Sequence, residues 1–116
     1  MVKKELVSVF GRRLRQARQR SGLPQDKLGV QIGLDEHTAS ARISRYEGGV
    51  HEPPFATTIK LAEALMVPAP YFYTEDDQLA FVVRAWGEMT TDERASLDEF
   101  IEALRSGTLR EGNGTQ

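Results

Sequence analysis

Hydrophobic residues along the chain recur at helical spacing, and glycines and prolines cut the pattern into segments of roughly 8 to 16 residues. Leu6, Phe10, Leu14 and Ala17 fall three or four apart, with Arg12, Arg13, Arg15 and Arg20 elsewhere around the wheel. This predicts an amphipathic first helix from Lys4 to Ser21, stopped by Gly22. Pro24 suits the entry to a short second helix, Gln25 to Ile32, in which Leu28 and Ile32 pair and Gly33 caps. Ala39, Ile43 and Tyr46 share a face of a third helix that ends at Glu47, before Gly48-Gly49. A fourth helix, from about Phe55 to Met66, buries Ile59, Ala62 and Leu65, and Tyr71-Phe72-Tyr73 closes the core after Pro70. No stretch alternates with a period of two, so no sheet is expected and the fold class is all-α.

Two further helices follow. Thr74-Glu75-Asp76-Asp77 resembles a capping box and opens a helix through Leu79, Val82, Val83 and Trp86. Thr90-Thr91-Asp92-Glu93 is a cleaner box, opening a helix whose Leu97, Phe100, Ile101 and Leu104 form one apolar stripe. The expected organisation is a helical domain over 1–73, an acidic helical hairpin over 74–107 and a flexible tail over 108–116. The hairpin carries more apolar residues than two helices bury between them, so it should pack on the first domain, on a second subunit or on another protein; a dimerisation element is the leading choice.

Charge divides the chain at the same boundary. The whole carries −2, but residues 1–73 sum to +4 and residues 74–116 to −6. A basic first half keeps a nucleic-acid partner open where the average would discourage it. With 40% hydrophobic and 28% charged residues, and nothing near the roughly 18 unbroken apolar residues of a membrane span, no membrane partner is expected. The N-terminus lacks the apolar run of a secretory signal, and the absence of cysteine fits a reducing, cytoplasmic setting.

Three ordered segments then acquire a meaning together: Leu14-Arg15-Gln16-Ala17-Arg18-Gln19-Arg20-Ser21-Gly22-Leu23-Pro24-Gln25-Asp26-Lys27-Leu28, Ile43-Ser44-Arg45-Tyr46-Glu47-Gly48-Gly49, and Leu61-Ala62-Glu63-Ala64-Leu65. Over about residues 6–73 the sequence resembles the XRE family of phage lambda-repressor-like helix-turn-helix transcriptional regulators. The resemblance implies five helices around one core, the second and third forming the helix-turn-helix. It also implies a homodimer that places two third helices in successive major grooves, about 34 Å apart.

The same resemblance assigns site residues. Gln25 matches a phosphate-binding glutamine at the start of the second helix. Arg18 and Glu47 match an ion pair between the first and third helices, whose role is architectural with a part in orienting a phosphate contact. Ile43 matches the buried anchor of the recognition helix, which leaves Ser40, Ala41, Arg42, Ser44 and Arg45 facing DNA. Arg45 is the foremost candidate for base readout, since a guanidinium can donate twice to guanine; for it and Arg42 a phosphate clamp or a solvated basic face is the alternative. Gly48-Gly49-Val50-His51 matches a loop that lays backbone amides against phosphate, although helix termination explains its glycines nearly as well. Most arginines of the first helix, with Lys3 and Lys4, read as a solvated basic face, one or two of them within reach of phosphate.

Three positions depart from the family pattern. The usual helix-three cap position is Ala39, so a cap moved back to Asp35 predicts a recognition helix of about 35–47, lengthened by a turn that brings His37 and Thr38 toward DNA. The alternative is that residues 35–38 only build a longer turn. Pro24 replaces a serine or threonine cap and Gly29 an alanine, both expected to weaken the second helix.

Other function classes find little support. There is no Gly-rich phosphate loop and no nucleophile triad, so no enzyme and no cofactor are expected. His37 and His51, with Glu36 or Glu52, read as surface residues and not as a metal site. The serious rival keeps the fold and changes the role, to the antitoxin of a toxin-antitoxin pair or a protein-binding adaptor that uses the C-terminal hairpin.

Overall fold

The computed structural model describes residues 2–108, with side chains from Val9 onward. Six α-helices follow in order: α1 Val2–Ser21, α2 Gln25–Gln31, α3 Ala39–Glu47, α4 Phe55–Leu65, α5 Asp77–Gly87 and α6 Thr91–Ser106; a 3-10 helix, Ala69–Tyr73, separates α4 from α5. Among the described residues there is no strand. The fold is all-α and lambda-repressor-like, the 3-10 turn standing as the fifth helix of the body. The side chains of Lys3, Lys4 and Leu6, and the expected tail beyond Thr108, lie outside the described residues.

The periodicity places the core correctly for α1 to α3. Phe10, Leu14 and Ala17 of α1, Leu28 of α2 with Ile32 just after it, and Ile43 and Tyr46 of α3 are all buried. In α4 the buried face is turned slightly from the expected one: Thr58, Leu61, Ala62 and Leu65 are buried while Ile59 is only half-buried. Phe72 fills the centre, its ring centroid 5.0 Å from that of Phe10, a pairing worth about 0.5–1.5 kcal/mol beyond burial. Thr58 is tolerated in this core because its hydroxyl meets the Tyr73 hydroxyl at 3.4 Å.

Helix α3 is shorter than the sequence suggests. It begins at Ala39, not Asp35, because the Asp35 carboxylate is used elsewhere: it accepts from the His37 amide at 2.9 Å, and the Thr38 amide donates to the Asp35 carbonyl at 3.0 Å. Such a side-chain-to-backbone bond two residues on builds a turn in place of a helix. The turn drops Ala39, fully buried, onto α2 at Gly29, where an added Cβ would lie 2.6 Å from that of Ala39. Gly29 is therefore the seat on which α3 crosses α2 and not merely a weak helix position.

The C-terminal pair also differs in detail. Asp76, not Thr74, caps α5 by accepting from the Leu79 amide at 2.8 Å, while the Thr74 hydroxyl donates to the Pro70 carbonyl at 2.7 Å. The box at Thr90 and Glu93 forms as expected and opens α6. Ala80 is buried and Val83 packs against the core, which fixes α5 on the body. Arg94 holds the α5–α6 turn, its guanidinium 3.7 Å above the Trp86 ring and its Nε donating to the Trp86 carbonyl at 3.0 Å. Beyond that point α6 packs along no other helix and buries no residue, so the two helices form an open pair and not a closed hairpin. The described chain is 63 Å in its longest dimension.

Candidate nucleic-acid interface

Burying Ala39, Ile43 and Tyr46 leaves one face of α3 in solvent: Ser40, Ala41, Arg42, Ser44 and Arg45 are all exposed. Among the described residues neither Arg42 nor Arg45 has a carboxylate partner, so both guanidinium groups are available to a polyanion. Thr38 is exposed in the preceding turn, its hydroxyl donating to the Asp35 carbonyl at 3.3 Å. It stands at the end of α3 without extending it.

The far end of α3 is fastened by Glu47, whose side chain has no exposed surface. Arg18 donates to it twice, Nε to Oε2 at 2.5 Å and a terminal nitrogen to Oε1 at 3.1 Å. Gln25 adds a bond at 3.0 Å and Arg15 one at 3.3 Å. Burial alone would raise the Glu47 pKa, but the hydrogen bonds from Arg18 and Gln25, the charge of Arg18 and the bond from Arg15 hold it below the usual carboxylate range. The pair proposed from sequence is thus the centre of a four-residue network. Arg15 was counted with the solvated face; that it lies three residues before Arg18, on the same side of α1, is the signal that places it here.

Gln25 joins the two helices of the motif. A carboxylate only accepts, so the Gln25 amide nitrogen must face Glu47, and the amide oxygen then faces the Ser40 hydroxyl, 3.4 Å away. The side chain at the start of α2 is thereby held against both ends of α3.

The loop after α3 corrects one expectation. The Gly49 amide donates to the Tyr46 carbonyl and the Val50 amide to the Arg45 carbonyl, a Schellman closure made possible by the left-handed φ of 76° at Gly49. The His51 amide also points to the Arg45 carbonyl. These amides close α3 on itself instead of standing free for phosphate, and only the exposed side chains of Val50 and His51 face outward.

Arg13 corrects another. It is not part of a solvated face but only 3% exposed. The sequence carried the signal, since Arg13 is three residues after Phe10 and four before Ala17 and so falls within the buried stripe. No three of His, Asp and Glu converge to hold a metal among the described residues, and no described helix is long and apolar enough to cross a membrane.

Comparison with known proteins agrees with this geometry. Residues 9–70 match the model of a helix-turn-helix domain family. The chain is similar to the crystal structure of the transcriptional regulator BswR, with 39% identity and a TM-score of 0.81 over 84% of this chain and 96% of that one. No curated protein matches the sequence. A family model spanning more than half of the chain, over the segment that holds α2, α3 and the Glu47 network, makes this protein a member of the helix-turn-helix domain family, of the XRE-like kind.

Proposed function

We propose that the protein is a cytoplasmic, double-stranded-DNA-binding transcriptional regulator, a repressor acting as a homodimer, with α3 in the major groove and no catalytic role. The observation that carries this reading is the exposed Arg42 and Arg45, without a carboxylate partner among the described residues, on a helix whose two ends are fixed through Gln25, Ser40 and Glu47. Arg45 reads a guanine, Arg42 a base or phosphate, and Ser40, Ala41 and Ser44 line the same surface. Gln25 orients the body on the phosphate backbone, and Thr38 approaches from the turn. The likeness to a transcriptional regulator supports the role. Fluorescence anisotropy with duplex DNA from the protein's own upstream region, against a scrambled duplex, tests it. A preference of about a thousandfold is expected for a sequence reader. Equal, weak binding that vanishes as salt rises refutes it.

The homodimer reading rests on α5 and α6. Leu79, Phe81, Val82, Trp86, Phe100 and Ile101 remain between 41% and 58% exposed. Together they leave on the order of 600 Å² of apolar side chain open, against about 800 Å² per partner in a standard interface. Of these, Trp86 also lines an open groove of about 850 Å³ with Ile59, Ala62, Leu65 and Met66, rimmed by Arg20, Glu63, Glu88 and Arg94, so apolar surface continues from the end of α5 onto the body. A second copy of the chain suits it, because a two-fold axis covers both copies' stripes at once. Phe100→Glu with Ile101→Glu should turn a dimer into a folded monomer by light scattering. A wild-type protein that is already monomeric shifts the assignment to a protein partner, as in an antitoxin or adaptor.

A further inference from the structure

Arg13 is the most fully engaged side chain outside the recognition surface, and the proposed contacts with DNA do not use it. Its Nε donates to the Thr74 carbonyl at 2.7 Å, and one terminal nitrogen donates to the Glu75 carbonyl at 2.8 Å and to Asp77 Oδ1 at 2.9 Å. The other terminal nitrogen is held by Gln16 at 2.9 Å. Arg12 adds a bond to the same Asp77 oxygen at 3.3 Å. Residues 74–76 are the connection between the body and α5, and Thr74 and Asp76 have extended backbones. A guanidinium that takes two consecutive carbonyls and the first carboxylate of the next helix fixes this connection at three points. Lysine, with a single ammonium, cannot reproduce that planar fork.

On its other side α1 carries Arg15 and Arg18, which hold Glu47 at the end of α3. One helix therefore grips the recognition helix through one pair of arginines and the root of the C-terminal arm through another. We infer that Arg13 is a positioning residue for operator choice: by locking α5 to α1 it sets the distance and angle between the two recognition helices, and so the half-site spacing that the protein accepts. The inference rests on the homodimer reading above, in which α5 and α6 supply the two-fold contact.

The physical consequence is selectivity for geometry. Moving one half-site by two base pairs shifts it by about 7 Å and turns it by roughly 70° around the DNA axis, from 3.4 Å per base pair and about 10.5 base pairs per turn. A locked arm cannot follow such a change; a hinged one can, since a few connecting residues absorb large backbone rotations.

The test uses the full chain and a half-site recovered by selection from random duplex DNA with the wild-type protein. Paired half-sites are prepared at spacings that differ by single base pairs, and affinity is measured across the series. The wild type should favour its best spacing by about tenfold or more over one displaced by two base pairs, in line with the specificity that DNA geometry supplies. Arg13→Lys, still a dimer by light scattering and unchanged on an isolated half-site, should flatten that preference to about threefold or less. Asp77→Asn, at a side chain 83% exposed and so harmless to the core, should flatten it in the same direction, and it decides the matter if Arg13→Lys does not fold. Arg12→Lys should leave it unaltered. A folded Arg13→Lys dimer with the wild-type spacing profile, or Asp77→Asn with that profile where it has to stand in, overturns the inference alone. A wild-type protein that is a dimer by light scattering yet binds every spacing alike also overturns the inference alone, and one that is a monomer overturns the homodimer reading and the inference with it.

Discussion

Replacing Arg18 by methionine keeps most of the stem and removes the charge, so Glu47 loses two of its four bonds, the shortest among them, while remaining buried. Gln25 at 3.0 Å and Arg15 at 3.3 Å are left to hold it, and the Arg15 side chain is 56% exposed, which weakens its contribution. Breaking a buried pair from one side costs about 3–5 kcal/mol. With two donors remaining, the lower figure applies, and about 3 kcal/mol should lower the melting temperature of a domain this size by roughly 12 °C or more. The sign with pH follows from the two directions of shift. In the wild type the folded Glu47 pKa is depressed, so its contribution is present above the unfolded value of about 4.3 and is lost as pH falls through the lower folded value. In Arg18→Met both lowering contributions of Arg18 are gone while the burial that raises the Glu47 pKa stays, so the folded pKa should move up. The variant is therefore penalised near neutral pH and relieved as the carboxyl protonates. Urea unfolding of both proteins between pH 7 and about pH 4 should show the gap narrowing on acidification. A gap below about 1 kcal/mol at pH 7, the range of an exposed pair, or one that does not change with pH, refutes the reasoning.

Gly29→Ala should destabilise the fold by about 1–3 kcal/mol through overpacking, because its Cβ would lie 2.6 Å from the Ala39 Cβ and 2.9 and 3.0 Å from that residue's backbone; adding Ala39→Gly removes only the first contact and should restore little of the loss in thermal melts, and a double variant as stable as the wild type contradicts the assignment. Arg45→Ala should lower affinity for the preferred site by about 1–3 kcal/mol more than for random duplex DNA, while equal losses would make it a phosphate contact. Thr90→Ala removes the cap of α6 and should cost about 1 kcal/mol, seen as faster amide exchange in the first turns of α6 with little change in the global melt, since that helix buries no residue.

Much of the body was legible because burial and helical period agree there: Phe10, Leu14, Leu28, Ile43 and Tyr46 occupy the interior that their spacing predicts. The Arg18–Glu47 pair was legible only through resemblance, since twenty-nine positions separate the partners and no local period links them. Asp35 misled because an aspartate ahead of an apolar run serves equally as a helix cap or a turn former, and the choice is made by Ala39 seating on Gly29, a contact between helices. Arg13 misled through its type: long basic side chains are usually solvated, but its place within the buried stripe outweighed that tendency. The open placement of α6 was not legible, since an apolar stripe reports that a face needs cover without saying whose.

The bond between Gln25 and Glu47 also bears on how tightly DNA can be held. A free glutamine side chain surrenders up to about 1.5–2 kcal/mol of rotational freedom when it is pinned. Here the pinning happens on folding, before any DNA arrives, so the chain enters the encounter with that side chain already aligned. With Gln25 on the phosphate backbone as proposed above, association is spared on the order of 1 kcal/mol of ordering at this one position. Severing the bond would thus weaken the complex even if every atom in the final contact stayed where it was, because the loss would fall on the free protein.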